Sequence, residues 1–150
     1  MPSAQSPLVV PIVRLDADLP LPVRAHPDDA GLDLHARADA LLAANGGRAL
    51  VQTGVAVAIP RGYMGIVVPR SGLALKHGVS LVNTPGIIDS AYRGELQVIM
   101  INHDATSDYQ VRRGDRIAQL IVQAVAGVEW SVVESLDDND RGGGFGHSGR

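Results

Sequence analysis

The stretch NTPGIIDSAYRGELQVIMIN, from Asn83 to Asn102, sets one acid, Asp89, one ring, Tyr92, and one guanidinium, Arg93, at the head of an apolar run. A well-placed carboxylate takes a proton from water and acts as a general base. A ring three residues on offers a flat wall, and an arginine pairs with an acid or a phosphate. The plain alternative is a hairpin with solvated ends. In PRSGLA, Arg70 and Ser71 precede Gly72 where a strand gives way to a helical turn. Free N–H groups at a helix start, a hydroxyl and a guanidinium together suit a phosphate. A simple N-cap beside a surface arginine is the other reading.

Three further positions carry weaker signals. Asp33, in AGLDLHA, alternates with Leu32 and Leu34 and so faces the polar side of a strand. Alone it reads as an exposed strand acid. Gln119, in GDRIAQLI, interrupts an apolar strand; if buried it needs a hydrogen-bond partner in protein or ligand, and if it points outward it needs none. The tail DDNDRGGGFGHSGR holds the single phenylalanine, Phe145, among glycines and beside Arg141 and Ser148. Glycines let backbone N–H groups approach an anion, and a ring can stack. A frayed terminus is the bland reading. Singly these positions pass for ordinary surface. Jointly, one acid, several anion binders and an aromatic flap are what a nucleotide hydrolase needs.

Those side chains must be held by something, and the dominant period in the chain is two. In VQTGVAVAI, Val51, Thr53, Val55, Val57 and Ile59 share one face. YMGIVVP, VSLVN, ELQVIMIN, IAQLIVQAV and VEWSVV read as further strands, broken by Gly, Pro and Asn turns. The pattern predicts an all-β antiparallel sandwich or barrel. Two segments depart from it. ADALLAAN contains helix formers and ends at Gly46-Gly47, although it is too short for a stable isolated helix. SGLALKHG predicts one short helix, with Ser71 as N-cap and Gly78 just past its end. Residues 1–136 then form one β domain, and residues 137–150 form a flexible glycine-rich tail.

Composition narrows the partners. The formal net charge of -3 supplies no basic field for long nucleic acid, so a polyanion must be met by a few placed cations. The absence of cysteine excludes thiolate chemistry and a disulfide framework, which is compatible with a cytoplasmic location. No apolar run is long enough for a membrane span, and the N-terminal segment, broken by Pro7 and Pro11, does not read as a signal peptide.

Five stretches, AGLDL, PRSGLA, GIIDSAYRGE, RGDRIAQL and RGGGFGHSG, stand in an order that resembles the trimeric deoxyuridine triphosphatases, the dUTP pyrophosphatases. The resemblance runs from Ala30 to Gly149. It implies a jelly-roll-like subunit in a homotrimer with sites at subunit interfaces. The implied reaction is Mg²⁺-assisted attack of water on the α-phosphate of dUTP, giving dUMP for thymidylate synthesis and pyrophosphate. On the matching positions, Asp89 is the acid that activates water, and Tyr92 packs on the deoxyribose and excludes a 2′-hydroxyl. Asn83 and the turn after it, with Gly86 and Ile88, read the uracil edge as a hairpin. Arg70, Ser71, Gly72 and Gln119 bind phosphates, and Asp33 stands near the water shell of the metal. Arg141, Phe145, Gly146 and Ser148 close over the nucleotide, with Phe145 on the base. The run between Arg141 and Phe145 is one residue shorter than the family's usual pattern. Deoxycytidine triphosphate deaminases share the implied fold but need a catalytic glutamate near the base; Glu95 is the nearby candidate. A non-enzymatic jelly-roll binding module would explain the strands but not the joint set of groups.

Overall fold

The computed structural model describes residues 6–136. Its strands are β1 (Ile12–Arg14), β2 (Leu32–His35), β3 (Ala40–Leu42), β4 (Arg48–Val57), β5 (Tyr63–Val68), β6 (Val79–Leu81), β7 (Gly86–Ile88), β8 (Glu95–Asn102), β9 (Tyr109–Val111) and β10 (Arg116–Ala124), and its helix is α1 (Ser71–His77). Two four-stranded sheets, β1-β4-β8-β6 and β2-β10-β5-β7, are joined by the small pair β3-β9. Every ladder is antiparallel. This is a jelly-roll-like all-β fold with one short helix.

Alternation builds the core. Along β8, Leu96, Val98, Met100 and Asn102 point inward and are buried. They meet Val51, Val55 and Val57 of β4 and, across the sandwich, Leu34, Val67, Ile117 and Leu120. Two polar groups enter this core with partners. Thr53 Oγ1 donates to the carbonyl of Leu96 at 2.7 Å. Asn102 Nδ2 donates to the carbonyls of Leu42 and Ser107 at 3.1 and 2.8 Å, and its Oδ1 accepts from Asp104 N at 2.9 Å. A buried amide left unpaired would cost about 1–3 kcal/mol, so these bonds decide whether the position is tolerable.

Four expectations need correction. ADALLAAN is not helical: Ala40–Leu42 pairs with Tyr109–Val111, which buries Leu42 completely, and Asn45 and Gly46 turn the chain at φ of 60° and 96°. Tertiary pairing outweighs propensity in so short a segment. VEWSVV forms no strand. Beyond the bond from Val125 N to the carbonyl of Gly62, residues 126–136 find no ladder within the described chain, and Trp130 and Val132 are 87% and 96% exposed. Ser71 is not the N-cap. Arg70 takes that place in extended conformation, with no side-chain cap bond, while Gly78 closes the helix at φ 65° as the sequence predicts. Finally, the segment after Asn83 is not a paired hairpin, because β6 belongs to the first sheet and β7 to the second. It is a corner that carries the chain from one sheet to the other.

Candidate active site

The predicted residues fall into two groups. The first lies around β7. Asn83 is exposed on the corner, and a Cβ added to buried Gly86 would stand 3.4 Å from its Nδ2, so the amide packs directly on that glycine. Ile88 is half-buried at the end of β7 and packs against the core. Asp89 follows in an exposed turn closed by Tyr92 N donating to the Asp89 carbonyl at 3.0 Å. Arg93 pairs with no acid among the described residues. It pins the same turn through Nη1, which donates to the carbonyls of Ser90 and Tyr92 at 2.6 and 2.9 Å. Asp89, Tyr92, Ile87 and Ile88 face Leu50, Gln97 and Ile99 of the first sheet across an open hollow of about 330 Å³. An apolar floor with one carboxylate at its rim is the form of a small-molecule site.

The second group lies on the outer face of the other sheet. Asp33 and Gln119 are cross-strand partners in the β2–β10 ladder and share that face. Asp33 is largely covered, and two arginines converge on its carboxylate: Arg70 Nε at 4.0 Å and Arg116 Nη1 at 3.4 Å. Arg70 Nη1 also donates to the carbonyl of Arg116 at 3.0 Å. Gln119 is half-buried and partnered, its Nε2 donating to the carbonyl of Pro69 at 3.1 Å. Gly31 leaves it room, since a Cβ there would stand 2.9 Å from both Cβ and Cδ of Gln119. Ser71 and Gly72 open α1 in full exposure. Burial holds the His35 imidazole below its usual pKa, aided by Arg116 and Arg70 and opposed by Asp33. Arg116 therefore adds a cation to the group that the motif alone did not single out.

The two groups stand at opposite ends of one sheet. Register pairs Gly65 with Ile88, so Asp89 leaves β7 at the Met64 end of β5, whereas Gln119 pairs with Val68 at the other end, next to Arg70. The distance along β5 from Met64 to Val68 is ~13 Å, and the three strand spacings from β7 to β2 add ~14 Å sideways, which puts Asp89 ~20 Å from Asp33. One chain does not bring them together. Gln97, in the wall of the hollow, was also missed; its signal is the same as that of Gln119, an amide inside an apolar strand. Arg141, Phe145, Gly146 and Ser148 lie outside the described residues.

Glu95 is committed elsewhere. Arg37 Nη1 donates to its two carboxylate oxygens at 3.1 and 3.2 Å, and Gly54 N donates to Oε1 at 2.8 Å. That arrangement removes it as the free glutamate a deaminase would need. No group of three or more His, Asp or Glu able to hold a metal ion occurs among the described residues.

The family model described as dUTPase matches residues 17–149. The chain belongs to the dUTPase family. The deoxyuridine 5'-triphosphate nucleotidohydrolase of Nocardia farcinica is 55% identical over 148 residues, covering 98% of this chain and 88% of its own length. That of Mycobacterium bovis is 56% identical over 144 residues, 92% of this chain and 93% of its own. Among solved structures, a Staphylococcus bacteriophage 80alpha dUTPase mutant with dUpNHpp superposes with a TM-score of 0.84 at 26% identity, covering 95% of this chain and 99% of its own. A mutant dUTPase from phage phi11 of S. aureus, described with a structural Mg(II) ion, gives a TM-score of 0.77 at 26% identity over 87% of this chain and 99% of its own. The family's antiparallel fold and the sandwich described above agree in architecture.

Proposed function

We propose that the chain hydrolyses dUTP to dUMP and pyrophosphate, with water attacking the α-phosphorus. The observation that carries the proposal is the pairing of one exposed carboxylate above an apolar hollow with a separate face of two arginines and a glutamine. The sugar and base rest in the hollow, where Tyr92 walls off the 2′ position and Asn83, Gly86 and Ile88 border the base. Asp89 accepts the proton of the attacking water as the new P–O bond forms. The bond from the α-phosphorus to the bridging oxygen breaks, and pyrophosphate leaves with the electron pair. Arg70, Gln119 and Arg116 hold the leaving phosphates, with the hydroxyl of Ser71 and the N–H groups at Gly72. Such a reaction needs positioning and charge neutralisation more than covalent chemistry.

Three parts of the reading extend past one described chain. The ~20 Å between the two groups supports a site shared between subunits, with Asp89 from one and Arg70 from another. The exposed apolar side chains of Val128, Trp130, Val132 and Leu136 support an assembly that covers them. A homotrimer meets both requirements. Second, Mg²⁺ keeps several waters and takes phosphate oxygens, so it needs few protein ligands. Asp33 is the residue that would hold it through that water shell, and the bound ion would neutralise charge on the triphosphate. Third, residues 137–150 close over the bound nucleotide, with Phe145 on the base and Arg141, Gly146 and Ser148 at the phosphates, which excludes bulk water.

The test is incubation with dUTP, dCTP, UTP and dTTP plus Mg²⁺, with pyrophosphate and ammonia both measured. Pyrophosphate from dUTP alone is expected. Ammonia from dCTP, or no turnover of any nucleotide, would refute the proposal.

A further inference from the structure

Among the described residues Gly46, Gly54, Gly62, Gly78 and Gly114 take positive φ, but Gly94 does not. Its φ lies outside the left-handed region, so the backbone there suits any residue, and the position is exposed. What a side chain would meet is one particular ring. A Cβ on Gly94 would stand 2.6 Å from the Tyr92 hydroxyl oxygen, 2.8 Å from its Cζ and 3.3 Å from its Cε2. By contrast, a Cβ on Gly72 or Gly127 would meet nothing.

The ring lies back over Gly94 because its hydroxyl has an anchor there. Tyr92 Oη donates to the main-chain carbonyl of Glu95 at 2.9 Å. Glu95 opens β8, pairs with Ala56 of β4, and has its carboxylate held by Arg37 and by Gly54 N. The acceptor therefore belongs to a fixed strand end. Tyr92 also borders the hollow, with Leu50, Asp89 and Ile99. With Tyr92 42% exposed, little else restrains it. Its pose rests on one hydrogen bond and on the space left by a missing methyl group.

We propose that Gly94 is a positioning residue that sets the pose of Tyr92 and, through it, the choice of a 2′-deoxy sugar over a ribose. The inference rests on the role given to Tyr92 above. Because the ring can swing into solvent, a methyl group at residue 94 is relieved by ring movement. The effect then falls on substrate choice rather than on folding. A steric wall of this kind discriminates by about a hundredfold, so displacing it is expected to lower the ratio of kcat/KM for dUTP over UTP by about tenfold.

The experiment is a cycle in the full-length protein: wild type, Gly94→Ala, Tyr92→Ala and the double variant. Each is assayed for kcat/KM on dUTP and UTP and for thermal unfolding. The proposal requires the ratio to fall in Gly94→Ala with little change in Tm, and requires Gly94→Ala to have no further effect on the ratio once Tyr92 is alanine. An unchanged ratio in Gly94→Ala overturns it. So does an equal fall in both backgrounds, which would place the effect in the backbone. A variant that does not fold also overturns it, because the ring must be what gives way. Failure of the wild type to cleave dUTP would instead sink the functional reading on which the inference rests.

Discussion

Replacing Arg37 by methionine tests how firmly the turn that carries Asp89 and Tyr92 is tied to the sheet. Arg37 Nη1 bonds both oxygens of Glu95, Nη2 donates to the carbonyl of Leu15 at 3.1 Å, and Nε lies 3.7 Å from Asp16. The Glu95 side chain is only 11% exposed, whereas Arg37 is 33% exposed. Breaking a fully buried pair costs about 3–5 kcal/mol because a charge is stranded. Here Gly54 N still holds the carboxylate, and solvent reaches the arginine, so about 2 kcal/mol is the reasoned cost. For a chain of this size that corresponds to a fall in Tm of roughly 4–8 °C. Differential scanning calorimetry at fixed protein concentration reads it, the concentration being held because assembly couples to unfolding. The paired change Arg37→Met with Glu95→Gln removes both charges while leaving Gly54 N an acceptor, and should recover most of the loss. A single variant that melts within a degree of wild type would refute the reasoning, and so would a double variant less stable than the single.

Asp89→Asn should bind dUTP with affinity close to wild type while kcat falls by about 10²–10⁴, the range for loss of a positioned base, as read by single-turnover kinetics. Gly31→Ala should raise KM for dUTP more than it lowers kcat, because the new methyl group displaces Gln119 from the face it shares with Asp33 and, on the proposed reading, from the phosphates. Acid should reveal Asp16. Two hydrogen bonds from Arg113 hold its carboxyl below the usual 3.8 against the opposing effect of burial, with a lesser contribution from Asp18 N. The unfolded chain therefore takes up that proton first, so the contribution is complete above 3.8 and disappears as pH falls through the folded value. Urea unfolding of Asp16→Asn should show a flatter pH dependence below about pH 4 than wild type.

Strands with clean alternation were legible in the sequence. ELQVIMIN is β8 to the residue, because each of its inward positions is apolar apart from the fully bonded Asn102. β7 was not legible, since three residues beginning with glycine show no period, and its pairing with β5 is made by tertiary contact. VEWSVV shows the opposite failure. Its alternation is real, yet alternation reports two faces and not the presence of a neighbour, and in residues 126–136 none is supplied within the described chain. The site divides in the same way. Asp33, Arg70 and Gln119 were singled out from motifs, and the β2–β10 register brings them to one face. Arg116 joins them through a bulge between Arg116 and Ala118 that leaves no mark in composition. The separation of Asp89 from this face follows from strand order, which is a non-local property.

That separation leads to the most direct measurement. Asp89→Asn and Arg70→Ala are purified separately, each nearly inactive, then mixed in equal amounts, unfolded and refolded together. If each site takes Asp89 from one subunit and Arg70 from another, random assembly makes about a quarter of the sites intact, so about a quarter of wild-type activity returns. A mixture that stays as inactive as its parents would contradict the account, because both residues would then have to act from the same chain.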